Sequence, residues 1–207
     1  MTLETWLAFA AASGILLIIP GPTVLLVVSY ALGQGLRTAL PTAVGVALGD
    51  FTAMTLSMLG LGALLAGSAA LFVALKWLGA AYLIWLGIRL WRAGGTLDAR
   101  PRAAASAEKM LGHAWLVTAL NPKSITFFVA FLPQFIDPAR DFLVQMLVFE
   151  ATFVTLAFAN AAGYALVAAR ARAAVGNPRT IGILNRIGGS LLIGAGLAAV
   201  SLRAARN

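Results

Sequence analysis

Residues 6–30 read WLAFAAASGILLIIPGPTVLLVVSY, 25 positions without a single charge. About 20 consecutive apolar residues span the hydrocarbon core of a bilayer, whereas an apolar stretch of about 10–14 suits a buried helix of a soluble protein. Five more runs of this kind follow at 39–65, 69–90, 114–135, 142–169 and 181–202. Across the 207 residues, 61% are hydrophobic, 11% are charged and the mean hydropathy is +0.92. Soluble domains run at about 45–50% apolar and about 25% charged, so no soluble fold hides this surface. The expected class is an all-α polytopic membrane protein of about six transmembrane helices, with membrane lipid as its solvent.

The first run resembles a cleavable signal in position only. It lacks a basic start, carries Glu4, and reaches Pro20-Gly21-Pro22 where a small-residue cleavage site would stand, so it is expected to remain as a helix. Cysteine is absent, which removes disulfides and thiolate metal sites. The net charge of +8 comes mostly from residues lying between the apolar runs, with no aromatic-interleaved basic surface for nucleic acid. Cytoplasmic loops are enriched in Lys and Arg. Arg89, Arg92, Arg100, Arg102 and Lys109 follow the third run, and Arg170, Arg172, Arg179 and Arg186 follow the fifth. Those connections are expected inside and the second and fourth outside. Both termini then face outward, unless Pro20-Gly21-Pro22 makes the first run re-entrant and moves the N-terminus inside.

The chain also resembles itself. An offset of one hundred places Pro22 on Pro122, Gln34 on Gln134 and Asp50 on Glu150, and KWLGAAYLIWLG at 76–87 matches NRIGGSLLIGAG at 185–196. Three helices per half is an odd number, so the second copy enters from the opposite side. The expectation is two inverted three-helix repeats, about 1–92 and 114–207, joined by a cytoplasmic loop at about 93–113 in a single transporter domain. Such repeats place a substrate site near the bilayer midplane between the halves.

Interrupted helices are tolerated in membranes where protein or a cavity satisfies the freed backbone. Pro20-Gly21-Pro22 breaks the first run and Asn121-Pro122-Lys123 the fourth, near its start. Alone, either is a proline kink; in equivalent repeat positions they become candidates for holding a zwitterion. Asp50 follows Gly45-Val46-Ala47-Leu48-Gly49, a small-residue surface for close helix approach. An acid inside a span is a functional candidate by default, with an ion pair to Lys123 or Arg37 as the structural alternative. Lys123 either snorkels to the interface or pairs with Asp50. Glu150 divides between a hydrated interfacial acid and a functional one, and Asn160 between a helix-helix bridge and a substrate contact. The expected substrate and proton path is therefore Pro20, Gly21, Pro22, Gly49, Asp50, Asn121, Pro122, Lys123, Glu150 and Asn160.

No GxxxxGK[ST], HExxH or GxSxG pattern is present, and the lone His113 is expected in a loop beside the fourth helix. The reading is therefore not an enzyme, with no cofactor and no metal site. In order and spacing, Ile18-Ile19-Pro20-Gly21-Pro22, Gly45, Gly49 and Asp50, then 76–83, Asn121-Pro122-Lys123, Phe127-Phe128 and Pro133-Gln134-Phe135 resemble the LysE/RhtB amino-acid exporter family. The resemblance implies secondary active efflux of amino acids or their derivatives across the bacterial inner membrane, driven by proton antiport, in a protein that leaves room for a homo-oligomer. Pro20, Gly21, Pro22, Asp50, Asn121, Pro122 and Lys123 would lie near the path. The alternative is export of metal ions or another small solute on a similar scaffold, although two isolated acids make a poor metal site.

Overall fold

The computed structural model describes residues 1–67 and 104–170, together with single helical positions within 77–92 and 183–197. Apart from those positions, the third and sixth apolar runs lie outside the described residues, and with them most of the 76–87 and 185–196 match. Among the described residues the protein is all helical.

Helix α1 (Leu3–Ile18) begins where Thr2 accepts the Thr5 amide at 3.2 Å. It stops because a residue preceding proline is driven out of the helical region, and Ile19 is extended at φ −71, ψ 120. Pro22, whose missing amide costs nothing at the first helical position, then opens α2 (Pro22–Gln34) after Gly21. Gly35, at φ 73, is the only described residue in the left-handed region, and with the short 3₁₀ turn Gly35–Thr38 it leads into α3 (Ala39–Gly67).

Helix α4 (Ala107–Ala119) starts about two turns before the apolar run, because Ser106 caps the Lys109 amide at 3.3 Å and Glu108 lies in the first turn. His113 is therefore inside a helix rather than in a loop. The break at Asn121 falls mid-way along this pass, not near its start. Asn121, at φ −71, ψ 112, repeats the conformation of Ile19, and Pro122 opens α5 (Pro122–Thr126). The chain continues through a π turn at Phe127–Phe131 and a 3₁₀ turn at Leu132–Gln134 containing Pro133. Helix α6 (Phe142–Arg170) completes the described fold, its first turn capped by Asp141 on the Val144 amide at 2.9 Å.

Hydrogen bonds fix the helix directions. Trp6 donates to Thr152 at 3.0 Å and Tyr164 to the carbonyl of Ile18 at 2.6 Å, so α1 and α6 run parallel and in register. Tyr30 bonds His113 at 3.0 Å, and the Ala105 amide bonds Gln34 at 3.1 Å, while Phe9 stacks near Phe127 and Phe135. The α1–α2 pass is thus antiparallel to the α4–α5 pass along its whole length. Helices α1 and α2 are about 24 and 20 Å long, so each falls short of a hydrocarbon core of about 30 Å that together they exceed. The stretches Pro22–Gly60, Ala107–Gln134 and Phe142–Arg170 are each long and apolar enough to cross a membrane, and Gly35 divides the first so that α2 belongs with α1.

Among the described glycines, Gly45 and Gly49 make the closest helix approach. A Cβ at Gly45 would lie 2.4 Å from the Leu111 carbonyl oxygen, and one at Gly49 would lie 2.6 Å from the Thr118 Cβ. Backbone approaches backbone here, as small residues permit in membranes, and α3 packs parallel to α4.

Candidate functional site

The two breaks face each other at the middle of the bundle. A helix end leaves its last carbonyls without intrahelical partners, and inside a membrane no water is at hand to take them. The Leu16 carbonyl accepts the Ile19 amide at 3.2 Å, and side chains from two other passes reach the carbonyls of Leu16 to Ile19. Lys123 Nζ donates to the carbonyls of Leu16 at 3.0 Å and Ile19 at 2.8 Å. Asn160 donates to Leu17 at 3.0 Å, and Tyr164 to Ile18. The cationic ammonium also matches the negative end of the α1 dipole.

The second break is tied to the first through hydroxyls. Asn121 Oδ1 accepts the Lys123 amide at 3.0 Å, capping α5, and its Nδ2 donates to Thr23 at 3.0 Å. Thr23 in turn bonds Thr118 at 3.2 Å. The first turn of α2, the last of α4 and the first of α5 are thereby held as one unit.

Asp50 reaches this unit from α3. Its side chain is 1% exposed and borders a small cavity shared with Thr23, Asn121, Lys123, Ser124 and Asn160. Lys123 and the Ser124 hydroxyl are its polar neighbours, yet Oδ1 accepts no hydrogen bond. Among the described residues the direct ion pair is the exposed Arg140–Asp137 at 3.1 Å; Lys123 bonds backbone carbonyls and Arg37 bonds Gln34 at 3.2 Å, so neither Lys123 nor Arg37 forms the expected direct ion pair with Asp50. The rest of the cavity wall is apolar, from Leu17, Val24, Val27, Val46, Ala157 and Ala161. Its free space suits about one water molecule and is too small for an amino acid in this conformation.

Beyond the cavity, toward the start of α1, phenylalanines close the bundle. Phe9 packs on Phe149 at 4.5 Å and on Phe135 at 5.5 Å, and Phe128 meets Phe153 at 4.8 Å. The π turn at 127–131 contributes Phe127, Phe128 and Phe131 to this buried layer. Such widened turns occur often at functional sites.

The sequence-derived path residues thus divide. Pro20, Gly21, Pro22, Asn121, Pro122 and Lys123 form the paired breaks, and Asp50 and Asn160 meet them there. Gly49 faces α4 instead and sets helix spacing. Glu150 is buried but lies nearer the start of α6, where Thr55 donates to it, outside the cavity wall. Sequence reasoning missed Tyr164, Thr23, Thr118 and Ser124. Asn160 and Tyr164 lie four apart on one face of an apolar helix, a signal that would have found the pair.

Compared with known proteins, residues 14–202 match the model of the LysE type translocator family, a stretch that contains every residue of this site. The chain belongs to the LysE translocator family. Relatives of this translocator include the homoserine/homoserine lactone efflux protein of Salmonella typhimurium, 37% identical over 201 residues that cover 96% of this chain and 98% of that one. A Vibrio cholerae membrane protein is 36% identical over 205 residues, covering 99% and 100% of the two chains. The leucine efflux protein of Enterobacter sp. strain 638 is 33% identical over 137 residues, 65% and 64% of the two. No solved structure matches. The translocator is a bacterial inner-membrane protein of an amino-acid efflux family, and its long apolar helices fit that setting.

Proposed function

We propose that this LysE-family chain exports neutral amino acids and their lactones or esters by proton antiport, from a central site between two inverted three-helix repeats. The observation that carries the reading is Asp50, buried at the paired breaks with one carboxylate oxygen unpartnered. A ligand shifts a conformational equilibrium only through differential affinity. A carboxylate that is hydrated in one conformation and desolvated in another binds its proton differently in the two, which is what coupling requires. In its deprotonated form it is also the free acceptor in the cavity for a substrate ammonium.

The antiparallel crossing of the two broken passes supports the repeat, since each pass resumes its helix at a proline after an extended residue. Gly67 and Ala105 lie at opposite ends of the bundle, which supports an odd number of crossings between them and hence six spans in all. The apolar wall and the substrates named for the relatives favour cargo with an uncharged side chain. Because the present cavity is too small for that cargo, transport involves separating the passes around it.

The test is transport by proteoliposomes under an imposed pH difference. Asp50→Asn is expected to abolish gradient-driven transport while leaving membrane abundance, and downhill exchange of substrate, largely intact. Asp50→Glu should retain part of the coupling. Full gradient-driven transport by Asp50→Asn would remove the proton-carrier role. A fall in abundance that neutralising both Asp50 and Lys123 restores, together with transport, would instead make the pair structural.

A further inference from the structure

The contacts of Lys123 have a meaning of their own. Its ammonium does not pair directly with Asp50; it is held at the end of α1 by the carbonyl oxygen of Ile19 at 2.8 Å and by that of Leu16 at 3.0 Å, whose second lone pair accepts the Ile19 amide at 3.2 Å. Interrupted membrane helices use such freed carbonyls and helix C-terminal ends to coordinate a small cation. Two further observations point to a cation at this place. Asp50 borders the same cavity with an unpartnered oxygen, so a carboxyl group and the negative end of the α1 dipole both lie near the ammonium. Gly21 lies against it, since a Cβ there would stand 3.4 Å from both Cε and Nζ of Lys123, at contact distance.

We propose that the Leu16 and Ile19 carbonyls form a monovalent-cation site and that Lys123 fills it as a tethered cation, so that export needs no inorganic cation from solution. The lysine stem crosses from the second broken pass to the first, so the cation is also the link between the halves. Moving α1 relative to α5 must withdraw it or carry it along. With the side chain shortened, the site opens to a small cation of similar size. Methylammonium carries the same three donors as the lysine head, and sodium supplies the charge, whereas tetramethylammonium has no donor and cannot approach carbonyls so closely.

This inference rests on the exporter reading only for its transport arm; its binding arm needs no transport, so the two can fail separately. Wild-type protein in proteoliposomes is expected to transport substrate equally well in sodium, potassium or N-methylglucamine media. Lys123→Ala should lose at least about tenfold of that rate in N-methylglucamine, the factor that about 1.4 kcal/mol carries, and regain most of it with methylammonium or sodium but not with tetramethylammonium. Purified Lys123→Ala should be stabilised against heat by methylammonium in a saturable way, as a ligand of the folded state must, with no such effect on wild type. Lys123→Met keeps the aliphatic stem and vacates only the ammonium position, so it serves with ammonium or sodium in place of methylammonium if the alanine variant does not fold. A sodium requirement in the wild type would overturn the proposal without any variant. So would undiminished transport by folded Lys123→Ala in N-methylglucamine, or a variant that no small cation stabilises or rescues.

Discussion

Replacing Gly45 or Gly49 by alanine tests how the site is held, because the added Cβ has nowhere to go. At Gly45 it would sit 2.4 Å from the Leu111 carbonyl oxygen and 2.8 Å from the Ala114 Cβ; at Gly49 it would sit 2.6 Å from the Thr118 Cβ and 2.7 Å from the Trp115 carbonyl oxygen. Carbon atoms in contact rest about 3.5–4.0 Å apart, and the atoms struck are mostly backbone, so α4 must move off α3 by roughly 1 Å. Overpacking of this kind costs about 1–3 kcal/mol. Gly14 and Gly163 also lie within helices, but nothing stands within 4 Å of a Cβ there. Alanine at those positions should gain about 0.5–1 kcal/mol from the backbone entropy that glycine loses in a helix. The two pairs of variants should therefore separate by about 1.5–4 kcal/mol, with opposite signs. Thermal unfolding of the four purified proteins in one detergent, together with transport rates in proteoliposomes, measures both consequences. Transport should fall more steeply than stability for Gly49→Ala, since Thr118 carries the hydroxyl that reaches Thr23 and, through it, Asn121. Equal stability for Gly49→Ala and Gly163→Ala would show that α3 and α4 are not in the close contact described.

Tyr164→Phe and Asn160→Leu each orphan one carbonyl at the end of α1; both should cost about 0.6–2 kcal/mol and slow transport at near-normal abundance, as thermal unfolding and transport assays would register. Unchanged transport in both variants would make the capping incidental. Reporter fusions after Gly95 and near Gly176 should be cytoplasmic and one near Pro138 external, and an external signal at Gly95 would reverse the orientation argued from loop charge.

Much of the helical layout was legible in the sequence because it is set locally. Hydropathy alone marks 39–65 and 142–169, and α3 and α6 follow those runs closely. The backbone restriction before proline predicts a stop at Ile19 and at Asn121, and both residues are extended. The start of α4 escaped hydropathy because its first two turns are amphipathic and polar, and a serine cap, not apolar periodicity, defines them. That shift also moved His113 into a helix and the second break toward mid-span.

What the sequence by itself determined is which segments are apolar, where proline interrupts them, and that two acids are embedded among them. It did not determine which partner each broken end would find. The bonds that assemble the site join residues far apart in the chain, by 98 positions for Thr23 with Asn121, 107 for Leu16 with Lys123 and 143 for Leu17 with Asn160. Residues that the offset of one hundred matches do not share surroundings: Asp50 borders the cavity, whereas Glu150 turns to Thr55, and Gly49 serves helix contact. Only the tertiary structure decided these matters, because a freed carbonyl in a membrane must take its partner from whichever helix packing brings within about 3 Å, and that distance is a property of the packed bundle that no local stretch of sequence encodes.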